Sequence, residues 1–205
     1  MNEDAFVKQM QRYMPERICR IIYSWLVKYP VKVRISKPRK TKLGDYRIGG
    51  GRKQPVISVN GDLNPYAFTV TLTHEIAHHI DFLQRKTLAT PHGDSWKGVY
   101  SELLLQLLAA NAFPDELTPA VARHIQNPKA ASCSDPALLR ELRAYDQEPM
   151  IVLSDLPEGA EFVIVSNQRL FQKGKLKRTR FICTEIQTKK RFMVHGECEV
   201  SINHS

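Results

Sequence analysis

Apolar residues recur at helical spacing early in the chain, where Ile18, Ile21, Ile22, Trp25 and Leu26 share one face. They predict a core-facing helix over 15–28, opened by a proline at its first position, after a shorter helix from 4 to about 13. Between 31 and 60 the pattern becomes short β-like runs, 31–35, 43–48 and 56–59, separated by Lys/Pro and by Gly49-Gly50-Gly51. No Gly-Lys-Ser/Thr follows the glycines and no helix opens there, so they read as a hairpin turn and not as a phosphate loop. Asn64-Pro65 then starts a long helix to about 86, with Leu72, Ile76, Ile80 and Leu83 on its packing side. A further helix, capped by Asp94 or Ser95, carries Trp96, Val99, Tyr100, Leu103, Leu104, Leu107 and Leu108 as a wide apolar face. Two shorter ones follow at 118–126 and 136–145, the second capped by Asp135. Beyond Glu148-Pro149 the runs turn β-like again, at 161–165, 168–171, 177–184, 191–194 and 197–201. The expected organisation is a mixed α+β domain over 1–147 and a small all-β module over 148–205.

The pattern leaves no room for a membrane span: the longest apolar stretch, 103–113, is interrupted by Gln106 and Asn111, against the roughly 20 residues a span needs. The acidic start, Met1 to Asp4, does not resemble a secretory signal, so a cytoplasmic protein is expected. With 205 residues, 42% of them hydrophobic, the chain can bury a core without staples. Its four cysteines form no CxxC pair, which argues against a disulfide framework and a four-thiolate metal site. The net charge of +9 is unevenly spread: 1–70 hold 14 Lys/Arg against 5 Asp/Glu, 71–150 hold 7 against 10, and 151–205 hold 9 against 6. Basic ends favour phosphate-rich partners.

Chemistry concentrates on the long helix, at His74-Glu75-Ile76-Ala77-His78. Residues four apart stand one turn above each other, so His74 and His78 can offer two imidazole nitrogens to one zinc ion. Glu75 leaves the helix beside them, placed to take a proton from water activated by the metal, and the reaction implied is amide hydrolysis. A catalytic site needs a third protein ligand and one open position. A further glycine and histidine at 81 and 84 would complete one known arrangement, but the chain has Asp81 and Gln84. His92, between Pro91 and Gly93 at the start of the next helix, is favoured over Glu102.

Residues 59–68 (VNGDLNPYAF), 73–78 (THEIAH) and 91–97 (PHGDSWK) together resemble the SprT-like zinc metallopeptidase family, to which the Spartan proteases belong. The resemblance spans roughly 15–145. It implies a zincin-like core of helices and a small antiparallel sheet, one catalytic zinc held by His74, His78 and His92, and Glu75 as general base. It further implies that the strand ending at Asn60 is the edge on which an extended protein substrate lies, and that substrates are bound or crosslinked to DNA. Many bacterial relatives end in a zinc ribbon with two cysteine pairs, whereas 162–194 retain only Cys183, so the tail reads as a degenerate, basic ribbon-like module without a structural zinc. Two basic runs are candidates for contact with single-stranded or damaged DNA. One holds Arg34, Arg39 and Lys40; the other holds Lys173, Lys175, Lys177, Arg178 and Arg180, with Arg169, Phe171 and Phe181 among them. Tyr46, Tyr66 and Tyr100 are unranked candidates for stabilising a transition state, and Asp81 could orient a ligand imidazole. The alternative is a non-proteolytic, transcription-related nucleic-acid-binding protein in which zinc is structural.

Overall fold

The computed structural model describes residues 2–39, 42–49, 54–85, 91–129, 135–147 and 151–202. The chain divides into two compact units, Met1–Gln147 and Glu148–Ser205.

In the first unit, α1 (Glu3–Met10) and α2 (Glu16–Lys28) bury Phe6, Met10, Ile18, Ile22 and Trp25 against a common core. Three strands follow, β1 (Lys32–Ser36), β2 (Gly44–Arg47) and β3 (Val56–Asn60). Their order in the sheet is β1-β3-β2, with β1 parallel and β2 antiparallel to β3. This mixed sheet corrects the expected antiparallel one and moves β3 to the centre. Ile57 and Val59 of β3 are fully buried, as a central strand requires, while β2 is the polar Gly44-Asp45-Tyr46-Arg47, a composition suited to an edge.

The core is organised around α3 (Pro65–Arg85), nearly every residue of which is buried between Phe68 and Asp81. Asn64 starts it: its Oδ1 accepts from the Tyr66 and Ala67 N–H groups at 3.1 and 2.9 Å. Thr69 and Thr73 return their hydroxyls to the carbonyls of Pro65 and Thr69 (both 2.8 Å), so polar side chains in a buried helix stay satisfied. Leu83, expected on the packing side, is exposed, because the last turn outruns its packing partners. α4 (Asp94–Ala109) lies along α3 and buries Trp96, Tyr100, Leu103, Leu104 and Leu107. Its cap is Gly93, without a side-chain bond, and not Asp94 or Ser95. α5 (Thr118–Gln126) and α6 (Pro136–Arg143) close the unit, and the Asn64 amide ties α6 to α3 through the Leu142 carbonyl at 2.9 Å. The triple-glycine turn cannot be followed, since Gly50 and Gly51 lie outside the described residues.

The second unit is an antiparallel sheet of β4 (Glu161–Ile164), β5 (Arg169–Gln172), β6 (Leu176–Lys177), β7 (Arg180–Glu185), β8 (Arg191–His195) and β9 (Val200–Ile202). Leu153, Leu156, Phe162, Phe171, Cys183 and Val200 form its own core. Among the described residues no helix of either unit is long and apolar enough to cross a membrane.

Candidate metal centre

α3 carries His74 and His78 on the side facing α4, and the turn before α4 supplies His92. His92 holds a left-handed backbone (φ 62°), a region that histidine, with asparagine and aspartate, adopts more readily than most residues other than glycine. The conformation swings its ring back over α3. The joint is clamped by Asp81, whose Oδ1 accepts from Arg85 Nε at 2.9 Å and from the Ser95 hydroxyl. Asp81 therefore fixes the turn that carries His92 and makes no bond to a ligand imidazole.

The three Nε2 atoms form a nearly regular triangle: His78 to His92 is 3.0 Å, and His74 is 3.2 Å from each of the others. Three nitrogens on one tetrahedral zinc, with bonds of 2.0–2.1 Å, stand about 3.3 Å apart, so the donor set fits such an ion. Imidazole lone pairs this close repel unless a cation lies between them. A proton is disfavoured, because burial, then the other two imidazoles, pushes His74 down to about 2. Burial and His92 bring His78 to about 4, and burial lowers His92. The histidines are thereby held neutral, as metal binding requires, and the group could hold a metal ion. Glu102, the other candidate for third ligand, lies exposed on α4 outside it.

Packing, more than hydrogen bonding, orients these rings. Trp96, fully buried, touches all three imidazoles, with ring centroids 4.6 Å from His74, 5.2 Å from His78 and 4.6 Å from His92. Tyr100 stacks on Trp96 and meets His74 edge-on, and His124 packs edge-on against Tyr100. His74 Nδ1 is buried without a hydrogen-bond partner among the described residues. Sequence periodicity marks Trp96 and Tyr100 only as core; their role as the wall behind the ligands needs the tertiary structure.

Glu75 is 7% exposed and lies against β2. A Cβ at Gly44 would come within 2.5 Å of Glu75 Oε1 and 2.8 Å of its Cγ, so the carboxylate occupies space that only a glycine leaves open. Burial, then Asp45, pushes the Glu75 carboxyl up to about 8, against the opposing pull of Arg39, Lys42 and the Tyr46 backbone N–H. Among the described residues the edge strand beside Glu75 is thus β2 and not β3, which corrects the expectation for the strand ending at Asn60.

Comparison of the chain with protein-family models, with curated proteins and with solved structures finds no match in any of the three.

The remaining predicted residues are spread over both units. The Tyr46 hydroxyl is 3.1 Å from His79 Nδ1, and His79 Nε2 is 3.2 Å from the Pro30 carbonyl, a link from β2 through α3 to the start of β1. Tyr66 packs against Phe113 and Tyr145. Arg34 is exposed on β1, Arg39 lies half-buried across the sheet, and Lys40 is outside the described residues. In the second unit Lys175, Lys177, Arg178 and Arg180 are exposed around the tight β6–β7 turn. Lys173 departs from the expected basic surface. It is 5% exposed, its ammonium donates to the Leu156 and Ser154 carbonyls, and it stands 4.0 Å over the Phe181 ring. Phe171 is core, so neither phenylalanine of that run is a free stacking surface.

Proposed function

We propose that this protein is a zinc-dependent endopeptidase with a zincin-like first unit, and the observation that carries the reading is the Nε2 triangle of His74, His78 and His92 with Glu75 one residue along the same helix. The histidines would hold the ion; when bound, it supplies Lewis acidity toward a carbonyl and lowers the pKa of water toward neutrality. The chain's own residues do the rest. Glu75, on the same helix next to His74 and held by β2, would take a proton from attacking water at its carboxylate and return it to the leaving amine. The Tyr46 N–H on the outer edge of β2 holds that carboxylate in place, and the rest of that edge, unpaired among the described residues, offers backbone groups to an extended peptide. The substrate class follows from the resemblance to SprT-like enzymes: proteins associated with or crosslinked to DNA.

The test is Glu75→Gln beside wild type, both loaded with zinc, on an unfolded protein substrate with and without single-stranded DNA. Wild type should cleave, and the variant should lose about 10²–10⁴-fold in rate while retaining one zinc per chain by elemental analysis. Equal behaviour of the two proteins, each holding zinc, would leave the non-proteolytic binding protein as the better reading.

A further inference from the structure

The histidine triangle and the Tyr46 link leave one histidine of the first unit without a task, His124 on α5, which is 1% exposed. Its Nδ1 stands 2.8 Å from Asp135 Oδ2. A carboxylate accepts and does not donate, so this nitrogen carries the proton between them. The other ring nitrogen, Nε2, is buried with no hydrogen-bond partner among the described residues. His74 repeats the pattern on α3: its Nε2 faces the other two imidazoles, and its Nδ1 is buried and unpartnered among the same residues. Trp96 Nε1 is a third such atom.

Native interiors pair nearly all of their buried polar groups, so three orphans around one side chain call for a common cause. That side chain is Tyr100. It packs edge-on against His74 and His124, with ring centroids 5.4 and 5.7 Å away, and stacks on Trp96 at 5.0 Å. Charge on His124 is also among the influences that hold His74 below its ordinary value, which places the two imidazoles within electrostatic reach of each other. The donors and acceptors match as well. Once His74 turns Nε2 to a metal, its Nδ1 carries the ring proton and donates; Trp96 Nε1 can only donate; His124 Nε2, with the proton at Nδ1, accepts. A single water accepts from two N–H groups and gives a hydrogen to the third nitrogen, and three bonds are typical of a buried water.

We propose that one buried water joins His74 Nδ1, Trp96 Nε1 and His124 Nε2, and that His124 and Asp135 are thereby positioning residues for His74. The line runs from the Asp135 carboxylate through His124 and the water to a ring that would hold the metal. It fixes the tautomer and the rotation of His74, as bonds behind the ligands do at zinc sites. This role rests on the three histidines holding zinc, as proposed above, and not on peptide hydrolysis.

The test measures the zinc affinity of the full chain by competition with a chromophoric chelator, beside thermal melts of the metal-free protein. His124→Phe keeps a ring in place and removes both nitrogens; it should weaken zinc binding about tenfold or more, with one zinc per chain still reached at saturation. His124→Gln, whose amide can reach the place of Nε2, should recover part of that loss. A histidine needed for packing alone would change the metal-free melt and leave zinc affinity at the wild-type value, and that result overturns the proposal. A crystal structure of the zinc-loaded wild type reads the water without any variant: it should lie within about 3.2 Å of all three nitrogens. A dry contact there, or a direct bond from His74 Nδ1 to a protein group, overturns the proposal. So does a wild type that binds no zinc, whereas one that binds zinc and cleaves nothing refutes only the peptidase.

Discussion

Glycine at position 44 leaves no side chain between the β2 backbone and the Glu75 carboxylate. A methyl group there would stand inside contact distance of Glu75 Oε1 and Cγ and, at 2.8 Å, of Thr71 Cγ2. Thr71 sits on a buried stretch of α3 that cannot retreat, so Glu75 must move. Gly44→Ala should therefore cost about 1–3 kcal/mol of stability in the metal-free protein, the usual penalty of overpacking. Under the proposed function the zinc-loaded variant should hydrolyse peptide at least about tenfold more slowly while binding as much zinc as wild type, because the atoms nearest a Cβ at Gly44 belong to Glu75 and Thr71 and not to a histidine. Combining it with Glu75→Ala separates this seat from a general weakness of the strand. If the carboxylate is the obstacle, the double variant recovers part of the lost stability, a coupling that thermal melts of the four proteins read directly. Purely additive losses would remove Glu75 from that place.

Helices and their connections show which parts of this fold are written locally. The starts of α3 and α6 are legible in the sequence because Asn64 and Asp135 cap them through their own neighbours. The approach of His74 to His78 is legible too, since a turn of helix spans four residues. The parallel pairing of β1 with β3 is not, because three short runs of similar composition do not state their order. Nor is the left-handed backbone of His92, which depends on Asp81 reaching Ser95 across a turn. Lys173 misleads for the opposite reason: a lysine in a basic run reads as surface, and its burial depends on the carbonyls of Ser154, in a distant 3-10 turn at Leu153–Asp155, and of Leu156 just after it. Asp135 joins both levels. Besides capping α6 it stands 2.8 Å from His124 Nδ1 on α5. Burial alone would raise its pKa, but hydrogen bonds from His124 and the Leu138 N–H outweigh this and hold the carboxyl below its usual range. The ionised form is thus the one the fold favours. Its contribution is present above the ordinary carboxylate pKa of about 3.9 and is lost as pH falls through that value and below it. Asp135→Ala should cost about 1–2 kcal/mol at pH 7. The gap between the two proteins in urea unfolding should shrink as pH is lowered toward 3, and a gap independent of pH would exclude a role for the charge.

At the scale of the molecule, all three candidate metal ligands belong to the first unit, and the second has a hydrophobic core of its own. Metal bound to the folded site but not to the unfolded chain stabilises by mass action, about 4 kcal/mol at a free concentration a thousand times the dissociation constant. For a unit of the size of Met1–Gln147, each kcal/mol moves the melting midpoint by a few degrees, so the expected rise is on the order of 10 °C. The gain should fall on the transition of the first unit and leave that of the second unchanged, since Cys183 and Cys198 are free and no group of three possible ligands occurs among the described residues of that unit. Calorimetry of the full chain with zinc, and again after a chelator, distinguishes the two transitions. His92→Ala should abolish the zinc-dependent shift and also lower the metal-free midpoint of the first unit, because an alanine held at φ 62° keeps the backbone strain and loses the ring contact with Trp96. A chelator that lowers both transitions equally would place metal in the second unit as well, and one that lowers neither would show that the three imidazoles converge for packing alone.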